Sequence, residues 1–421
     1  MTLVRAVAAL AARAAVPVYA LVGEEMRVRV QRLHLDPRLR LVDSPRHATV
    51  LLVAGRLPPA AREAAARVHD ALPRPRATLW WMSGPDDLPG DGGSGDPVVV
   101  PADGDVGTAA VRVHRELMLG DRPSEGPLLP DEDSVPWRGE GPYGHGGTGM
   151  TGGVPFGRPL AERDEDLRDG LTLDVVPLTV GPFVPFLPPD LTLRVVFNGD
   201  VVHALEVAEP LPAGDRHRTP PEVLPTIEAV EHARAGHHLR WISWALRVHG
   251  LPRLATWTLR LVDEPTVGPG DLDRLERRLR RSGLFTWHTR RLGRLTAEHV
   301  AGSGLGPVAR ASGVAEDARC DDPAYLALGF VPITHDGGDA AARWLQRLAE
   351  ARQALTLADQ AGQRRVSGRP EPPRGTPAGQ RRLLEMLSEL TVGTEWGDAV
   401  AILASLDLDP GLATVRGKVG S

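Results

Sequence analysis

Residues 122–168 constrain the fold more than any other part of the chain, because they are dense in Gly, Pro and Asp and include the run GPYGHGGTGMTGGVPFGRP. A segment of this composition buries too little apolar surface to offset the entropy that it loses on ordering. The whole chain, at 421 residues, is also too long for one hydrophobic core. The sequence therefore predicts two folded units, residues 1–121 and 169–421, joined by a Gly/Pro-rich linker.

Residues 1–121 show alternating helix and strand patterns. The alanine-rich stretch Val4–Val22 is interpreted as a helix rather than a signal peptide, and Arg5 and Arg13 argue against a membrane span. The continuous apolar run Val50–Gly55 is typical of a strand buried on both faces. Further strands are predicted at residues 77–82 and 97–101, and helices at residues 60–71 and 108–118. This alternation predicts a small parallel α/β sheet domain.

Residues 169–421 begin with strands and continue with helices. Two alternating runs flank Asn198-Gly199-Asp200, a turn sequence typical of a β-hairpin. Helical patterns follow at residues 224–249, 252–261, 269–281, 339–360, 380–390 and 398–406. The predicted fold class is α+β, with an N-terminal α/β sheet domain, a linker, and a C-terminal, mainly α-helical bundle that carries a small β-hairpin element.

The chain lacks the residue patterns of several chemistries. Cys320 is the single cysteine, so it forms no intramolecular disulfide and no cysteine-ligated zinc or iron–sulfur site, and a reducing compartment is expected. A formal G-x-G-x-x-G at Gly147, Gly149 and Gly152 has neither a strand before it nor a helix after it, so it is not interpreted as a dinucleotide loop. No nucleophile elbow, phosphate loop or HExxH motif occurs. No catalytic or metal-binding residue is assigned.

The charge of the chain gives no sign of a charged partner. The formal net charge is −5, which predicts no general attraction to nucleic acid or to an anionic membrane surface. Lys418 is the sole lysine, and the arginines are interpreted as a compositional bias, scattered along the chain.

Residues 304–350 resemble the large subunit of complex I (NADH–quinone oxidoreductase) and the related large subunits of membrane-bound nickel–iron hydrogenases. A second resembling segment, Ile402–Pro410, matches the closing segment of that family. The elements that carry the main resemblance are Gly306-Pro307, Arg310–Gly313, the pair Asp317 and Arg319, and Gly338-Asp339 followed by Arg343, Arg347 and Glu350. The resemblance implies a small β element packed on a helical bundle, and oxidoreductase function with NADH upstream and quinone as acceptor.

Residues 44–84 resemble the small, iron–sulfur-carrying subunit of complex I, so the chain is similar to a fusion of the two subunits. That resemblance implies strand ends that deliver cysteines to a 4Fe–4S cluster. The corresponding positions here lie at about Leu21-Val22, Pro85 and Asp103, where no thiolate is available. The C-terminal metal-binding cysteine pair of the hydrogenases corresponds to Leu406–Leu412, which also contains no thiol.

The resemblance further implies that the loop of the first hairpin meets a quinone headgroup through histidine. Gly181 and Pro182 agree with that loop, but its histidine positions are held by about Val184 and Pro188. Quinone reduction needs a proton donor, and neither side chain supplies one. An apolar quinone tail could still bind.

Four polar residues are candidates for a cleft or an interface. Helical spacing directs His237 to the bundle interior, where it either lines a remnant cleft or, as we favour, bonds a backbone carbonyl as a core histidine. Arg310, Asp317 and Arg319 either line an interface or form an ion-paired turn. His232 and His238 are expected to be solvated.

The Asp339 helix carries a second set of charged residues. Asp339 is expected to cap this helix at its N-terminus, and Arg343, Arg347 and Glu350 to pair along it at i, i+3 and i+4 spacing. Such pairing would explain these residues without any ligand.

These observations favour a core peripheral-arm subunit of a complex I-like or hydrogenase-related complex, without metal centres of its own, acting in assembly or conformational coupling. One alternative is a functional NADH–quinone oxidoreductase subunit that binds NAD and quinone and is fed by a cluster on a partner. Another is a freestanding scaffold protein. The expected partners are antiporter-like integral-membrane subunits and other peripheral-arm redox subunits, at the cytoplasmic face of the membrane. No cofactor and no nucleic acid are predicted.

Overall fold

A computed structural model describes most of the chain. The described residues are 3–23, 26–89, 96–130, 162–188, 190–208, 224–264, 267–368 and 372–413. The Gly147–Gly152 motif and the centre of the predicted linker, residues 131–161, lie outside them. Within the described residues the protein has a parallel sheet, an antiparallel sheet and a helical C-terminal region, which confirms the mixed fold class.

The N-terminal unit is a five-stranded parallel sheet with the order β2-β1-β3-β4-β5. Apolar side chains from both faces of the sheet are buried, which explains the unbroken apolar runs in its strands. The strands are β1 (Val16–Val22), β2 (Leu39–Leu41), β3 (Val50–Ala54), β4 (Ala77–Trp81) and β5 (Val98–Val100). The helices are α1 (Leu3–Ala11), α2 (Arg27–Arg32), α3 (Arg62–Asp70) and α4 (Val106–Leu119).

The prediction of one helix over Val4–Val22 is wrong in its second half. Helix α1 ends at Ala11, and Val16–Val22 forms β1, which pairs with β2 on one side and β3 on the other. A strand that is buried on both faces shows no alternation of apolar and polar residues. The alanine-rich start of the stretch therefore determined the prediction for all of it.

Both described ends of the predicted linker are ordered against their neighbours. The carboxylate of Glu125 accepts hydrogen bonds from the backbone N–H of Thr78 (2.8 Å) and from its hydroxyl (2.7 Å), which fixes residues 124–129 beside β4. At the other end, Glu162–Glu165 forms strand β6. These attachments could not be read from composition, which describes only the average of the segment.

The second unit begins with an antiparallel sheet in the order β6-β7-β8-β9. The predicted hairpin is confirmed, since Asn198 pairs with Val201 across a two-residue turn in which Gly199 has φ +62°. Its strands are β7 (Thr172–Val180), β8 (Leu193–Asn198) and β9 (Val201–Val207).

The helices of the second unit pack mainly on two long ones, α5 (Ile227–Val248) and α11 (Ala340–Ala361), which lie side by side. The others are α6 (Pro252–Asp263), α7 (Pro269–Arg281), α8 (Ala297–Val300), α9 (Pro307–Arg310), α10 (Pro323–Leu326), α12 (Pro377–Glu385), α13 (Leu387–Thr391), α14 (Trp396–Leu406) and α15 (Pro410–Ala413). No helix among the described residues is both long and apolar enough to cross a bilayer.

We expect the Leu52→Ala substitution to destabilise the sheet domain by about 2–5 kcal/mol, because Leu52 is fully buried in the central strand β3. The measurement is urea unfolding followed by circular dichroism. The matched control is Leu178→Ala on β7, whose side chain is 51% exposed, and it should change the unfolding free energy by less than about 0.5 kcal/mol. Equal losses in the two variants would contradict the assigned sheet core.

Candidate functional site

A cavity of about 340 Å³ lies between the sheet domain and the second unit. Its walls come from the carboxyl ends of β1 and β2, from α2 and the turn after it, from the loop that follows β7, and from the last turns of α5. Carboxyl ends of parallel strands are a common place for ligand sites. The lining residues are Ala20, Val22, Arg27, Val30, Gln31, His34, Leu41, Val42, Asp43, Pro182, Phe183, Val184, Pro185, Phe186, Leu187, Trp244, Arg247 and Val248.

The loop after β7 is fixed to both halves of the protein. The Tyr19 hydroxyl of β1 donates a hydrogen bond to the carbonyl oxygen of Phe183, and the Trp244 indole N–H of α5 donates to the carbonyl oxygen of Pro185 at 2.9 Å. At its start, Gly181 has φ +105°, and a Cβ there would lie 2.2 Å from the carbonyl oxygen of Leu191. Gly181 is therefore required for the turn, and Pro182 directly lines the cavity.

The cavity is mostly apolar but has a polar end formed by His34, Asp43 and Arg247. Burial, reinforced by the nearby Arg247 charge, lowers the pKa of His34 to about 3, so its imidazole is neutral at pH 7. Burial also lowers the pKa of Arg247, and the nearby Asp43 charge offsets only part of that decrease. The Arg247 guanidinium donates to the Thr256 hydroxyl at 2.9 Å, and its Nε has no hydrogen-bond partner among the described residues. This end of the cavity therefore combines a neutral imidazole, a carboxylate and a guanidinium.

Sequence reasoning missed His34 and Arg247. Each stands alone in the sequence, and their partners lie in a different folded unit. One signal did exist for Arg247, since it follows Trp244 by three residues and so falls on the same face of α5.

His237 belongs to a buried ion cluster centred on Asp407. The imidazole Nε2 of His237 lies 2.8 Å from Oδ2 of Asp407, so its partner is a carboxylate and not the expected backbone carbonyl. Arg374 donates to Oδ1 at 3.0 Å, and an Arg347 nitrogen lies 3.2 Å from Oδ2. Although burial opposes it, the two arginines hold the pKa of Asp407 well below its usual range. Burial lowers the pKa of His237 to about 3, against the opposing effect of Asp407.

The residues at the positions where the resemblance implies metal ligands do not suit a metal. Asp407 lies in the segment where the resemblance implies the hydrogenase cysteine pair, and its carboxylate is paired with two arginines. At the carboxyl edge of the sheet, the Arg29 guanidinium contacts the Met82 sulfur at 3.2 Å and the Ala102 carbonyl oxygen at 3.1 Å. A cation and a thioether are poor substitutes for cluster thiolates. No group of three potential metal ligands occurs in the part of the chain that the structure describes.

The structure brings Arg310, Asp317 and Arg319 together in a second buried cluster. Arg310 donates to both carboxylate oxygens of Glu350, at 2.8 and 3.1 Å, and one of its nitrogens lies 3.0 Å from Asp317. Arg319 donates to Asp317 at 2.7 and 2.9 Å and to Glu231 at 3.2 Å. The arrangement is that of an ion-paired turn, although each member is nearly or fully buried.

The two clusters are joined through His238, which was expected to be solvated but is fully buried. One Arg347 nitrogen lies 3.5 Å from Nδ1 of His238, and Nε2 of His238 lies 3.4 Å from Glu350. His232, on the outer face of α5, is exposed as expected. The result is a continuous buried series of charged and polar groups from Asp407 to Arg319.

The pairing predicted along α11 is wrong. Asp339 caps the helix, since its carboxylate accepts from the Ala342 N–H at 2.8 Å. Arg343, however, donates to the Ser405 hydroxyl and to the carbonyl oxygens of Gly293 and Gly338, at 2.8–2.9 Å. Arg347 and Glu350 also reach other elements rather than each other. Burial in the bundle gives these side chains tertiary partners that the helical spacing does not reveal.

Part of the second unit is similar in sequence to known proteins. Residues 257–375 match the family described as "Respiratory-chain NADH dehydrogenase, 49 Kd subunit". An NADH-quinone oxidoreductase subunit of Streptomyces coelicolor is 39% identical over 111 residues, which is 25% of this chain and 29% of that protein. The like-named protein of Rhizobium etli is 38% identical over 97 residues, 22% of this chain and 24% of that protein. The similar segment contains residues 304–350, where the sequence carries its most specific motifs.

The matches cover only part of each protein. The chain spans less than a third of the length of these two relatives. Among solved structures, a chain of the "membrane-bound sulfane sulfur reductase (MBS), an archaeal respiratory membrane complex" aligns with 57% of this chain and 98% of its own length, at 18% identity and a TM-score of 0.43.

We expect acid to destabilise the protein through His237. Its pKa is about 3 in the folded state, against an ordinary value of 6.5 for histidine, so between these pH values the unfolded chain binds more protons and stability falls as the pH falls. From pH 7 to pH 5 this one histidine should remove roughly 2 kcal/mol of unfolding free energy. Urea unfolding of His237→Gln should show a shallower pH dependence than wild type.

The matched control for this experiment is His232→Gln, because His232 lies on the same helix but is exposed. It should keep the wild-type pH dependence. If the unfolding free energy of His237→Gln depended on pH as steeply as that of wild type, His237 would have the same protonation in the folded and unfolded states.

Proposed function

We propose that the protein is a subunit of a complex I-like respiratory assembly that holds no metal centre of its own and acts in assembly or conformational coupling. The similarity of residues 257–375 to the 49 Kd subunit family supports the assignment to such an assembly. In this proposal the sheet domain is a small-subunit-like module, fused to a large-subunit-like unit. Its partners are other peripheral redox subunits and integral-membrane subunits, through which it is held at the membrane.

The observation that carries the proposal is the Asp407 cluster. The segment that resembles the metal-binding closing segment of the hydrogenases carries a carboxylate here, which is held by His237, Arg347 and Arg374. Breaking one member of a buried ion pair leaves an uncompensated charge and costs about 3–5 kcal/mol, so such a cluster restricts its helices to arrangements in which every charge has a partner. A rigid, ion-paired core suits a subunit that positions its partners.

The continuity of the buried polar groups supports the coupling role. Groups from Asp407 through His238 and Glu350 to Arg319 connect α14, α5 and α11 with the turn that contains Arg319. A displacement at one end requires charged groups along the series to exchange partners. Such exchange favours discrete arrangements over gradual deformation, which is the property that a coupling element needs.

The proposal predicts that the chain, once separated anaerobically from its partners, contains less than about 0.1 iron or nickel per chain, because the potential ligand positions hold no thiolate. The measurements are elemental analysis and electron paramagnetic resonance after reduction. A cluster signal that stays with the isolated chain would end the proposal.

The intact membrane preparation, before the partners are removed, distinguishes assembly from the freestanding alternative. Tagged protein in mild detergent should migrate in a large complex that contains multi-span subunits. Migration of all the protein as a monomer would favour the freestanding scaffold.

A second candidate function is the binding of a quinone-type ligand, which the cavity favours. Its apolar walls suit an isoprenoid or alkyl tail, and the N–H groups at its polar end suit a carbonyl oxygen. The missing loop histidines leave His34 as an alternative donor, although its neutral imidazole does not readily release a proton. In this role the chain would be fed with electrons by a cluster on a partner.

We expect Val248→Trp to weaken the binding of decylubiquinone at least about tenfold, because the added indole would project into the cavity from the last turn of α5. Isothermal titration of the purified chain measures the effect. The control is Val176→Trp on the exposed face of β7, which should bind as wild type does. Equal affinity of the two variants, or no binding by wild type, would rule the cavity out as a quinone site.

A further inference from the structure

Residues 277–294 form a strongly basic surface in a chain whose net charge is negative. This stretch contains no Asp or Glu, and all its arginines are exposed. They are Arg277, Arg278, Arg280, Arg281, Arg290, Arg291 and Arg294. The arginines of the chain are therefore not evenly scattered, which corrects the interpretation from composition. Charges separated by more than about 8 Å are screened at physiological salt, so this local excess matters more than the net charge of −5.

Most of these arginines have no carboxylate partner. Arg280 pairs with Glu276 at 2.6 Å, and the Arg278 guanidinium lies 4.4 Å from the Trp257 ring centroid. The other five side chains make no ion pair with any described residue. Three of the seven lie in the last turn of α7, where they also complement the helix dipole. The dipole does not explain Arg290, Arg291 and Arg294, which lie beyond the helix.

Trp287 lies in the middle of this stretch and is 85% exposed. It belongs to a single π-helical turn, Leu284–His288, directly after α7. A Cβ built on Gly283 would lie 3.0 Å from Cδ1 of Trp287, which places the indole beside the end of α7 and its arginines. The turn is anchored from below by Leu284, which is buried, and by the Thr289 hydroxyl, which donates to the Leu284 carbonyl oxygen at 2.7 Å. The structure thus holds the indole outward.

We propose that residues 277–294 are a direct contact surface for an anionic lipid bilayer. Trp287 enters the headgroup region, where an indole finds both apolar and hydrogen-bonding surroundings, and the flanking arginines bind lipid phosphates. This surface is separate from the cavity and the buried clusters, so the inference goes beyond the proposed function and does not depend on it.

The chemistry favours a bilayer over the other anionic partners. A protein partner that buried Trp287 would be expected to meet a wider apolar patch, but the exposed residues beside Trp287 in the sequence are polar: Thr286, His288 and Arg290. A single-stranded nucleic acid would need several stacked aromatic rings, and Trp287 is the one exposed Phe, Tyr or Trp residue in this stretch. One protruding indole among cations matches the interfacial residues of peripheral membrane proteins.

The test is co-sedimentation of the full chain with vesicles of phosphatidylcholine alone or with phosphatidylglycerol added. We expect binding to the anionic vesicles only, reduced by salt. The variant R277Q/R281Q/R290Q/R294Q should bind at least about tenfold more weakly, and Trp287→Ala should also weaken binding at every salt concentration. The control R40Q/R46Q/R112Q/R115Q removes the same charge from exposed arginines of the sheet domain and should bind as wild type does.

Several results would overturn the proposal. One is the absence of binding to anionic vesicles, and another is an equal loss in the two quadruple variants, which would reduce the effect to net charge. A third is unchanged vesicle binding by Trp287→Ala together with tighter binding of single-stranded RNA or polyglutamate than of vesicles. Circular dichroism of each variant establishes that it is folded, so that a loss of binding reports on the surface itself.

Discussion

Two buried carboxylates, Asp407 and Glu350, determine how the helices of the second unit can be arranged. Asp407 lies at the end of α14 and is contacted by side chains from α5, α11 and the loop before α12. Glu350 on α11 accepts hydrogen bonds from Arg310 of α9. Transfer of such charges out of water costs several kcal/mol for each ion, and that cost is offset only when the partners are complete. The helices can therefore meet only in geometries that give every member a partner.

Local patterns predicted the elements well where one rule governs a whole segment. The β3 run, the Asn198–Asp200 hairpin and the long helices follow from apolar periodicity and turn chemistry, and the structure has them. Strand β1 was missed because the alanine-rich start of the stretch dominated the interpretation, although Pro17 marks a break in the helical pattern. The charges of α11 were misread for a different reason: intrahelical spacing explained them fully, yet Ser405 and Asp407 were the partners. Burial can replace a local partner with a distant one.

The candidate site could be predicted only at its loop. Gly181 and Pro182 were identified by resemblance, whereas His34 and Arg247 acquire their importance from the docking of two units that are far apart in sequence. His238 illustrates the same limit. It follows His237 directly in the sequence, yet its side chain lies close to Arg347 and Glu350 of α11. The basic stretch around Trp287 was readable as a run of arginines, but its lack of carboxylate partners was not.

The loop after β7 touches Tyr19 on one side and Trp244 on the other, so the cavity between them is a joint property of two folded units. Any molecule that occupies it gains contacts with both, and occupancy and docking are thereby thermodynamically linked. A tethered pair keeps the second unit at high effective concentration near the first. A molecule bound there would stabilise the contact between the two units.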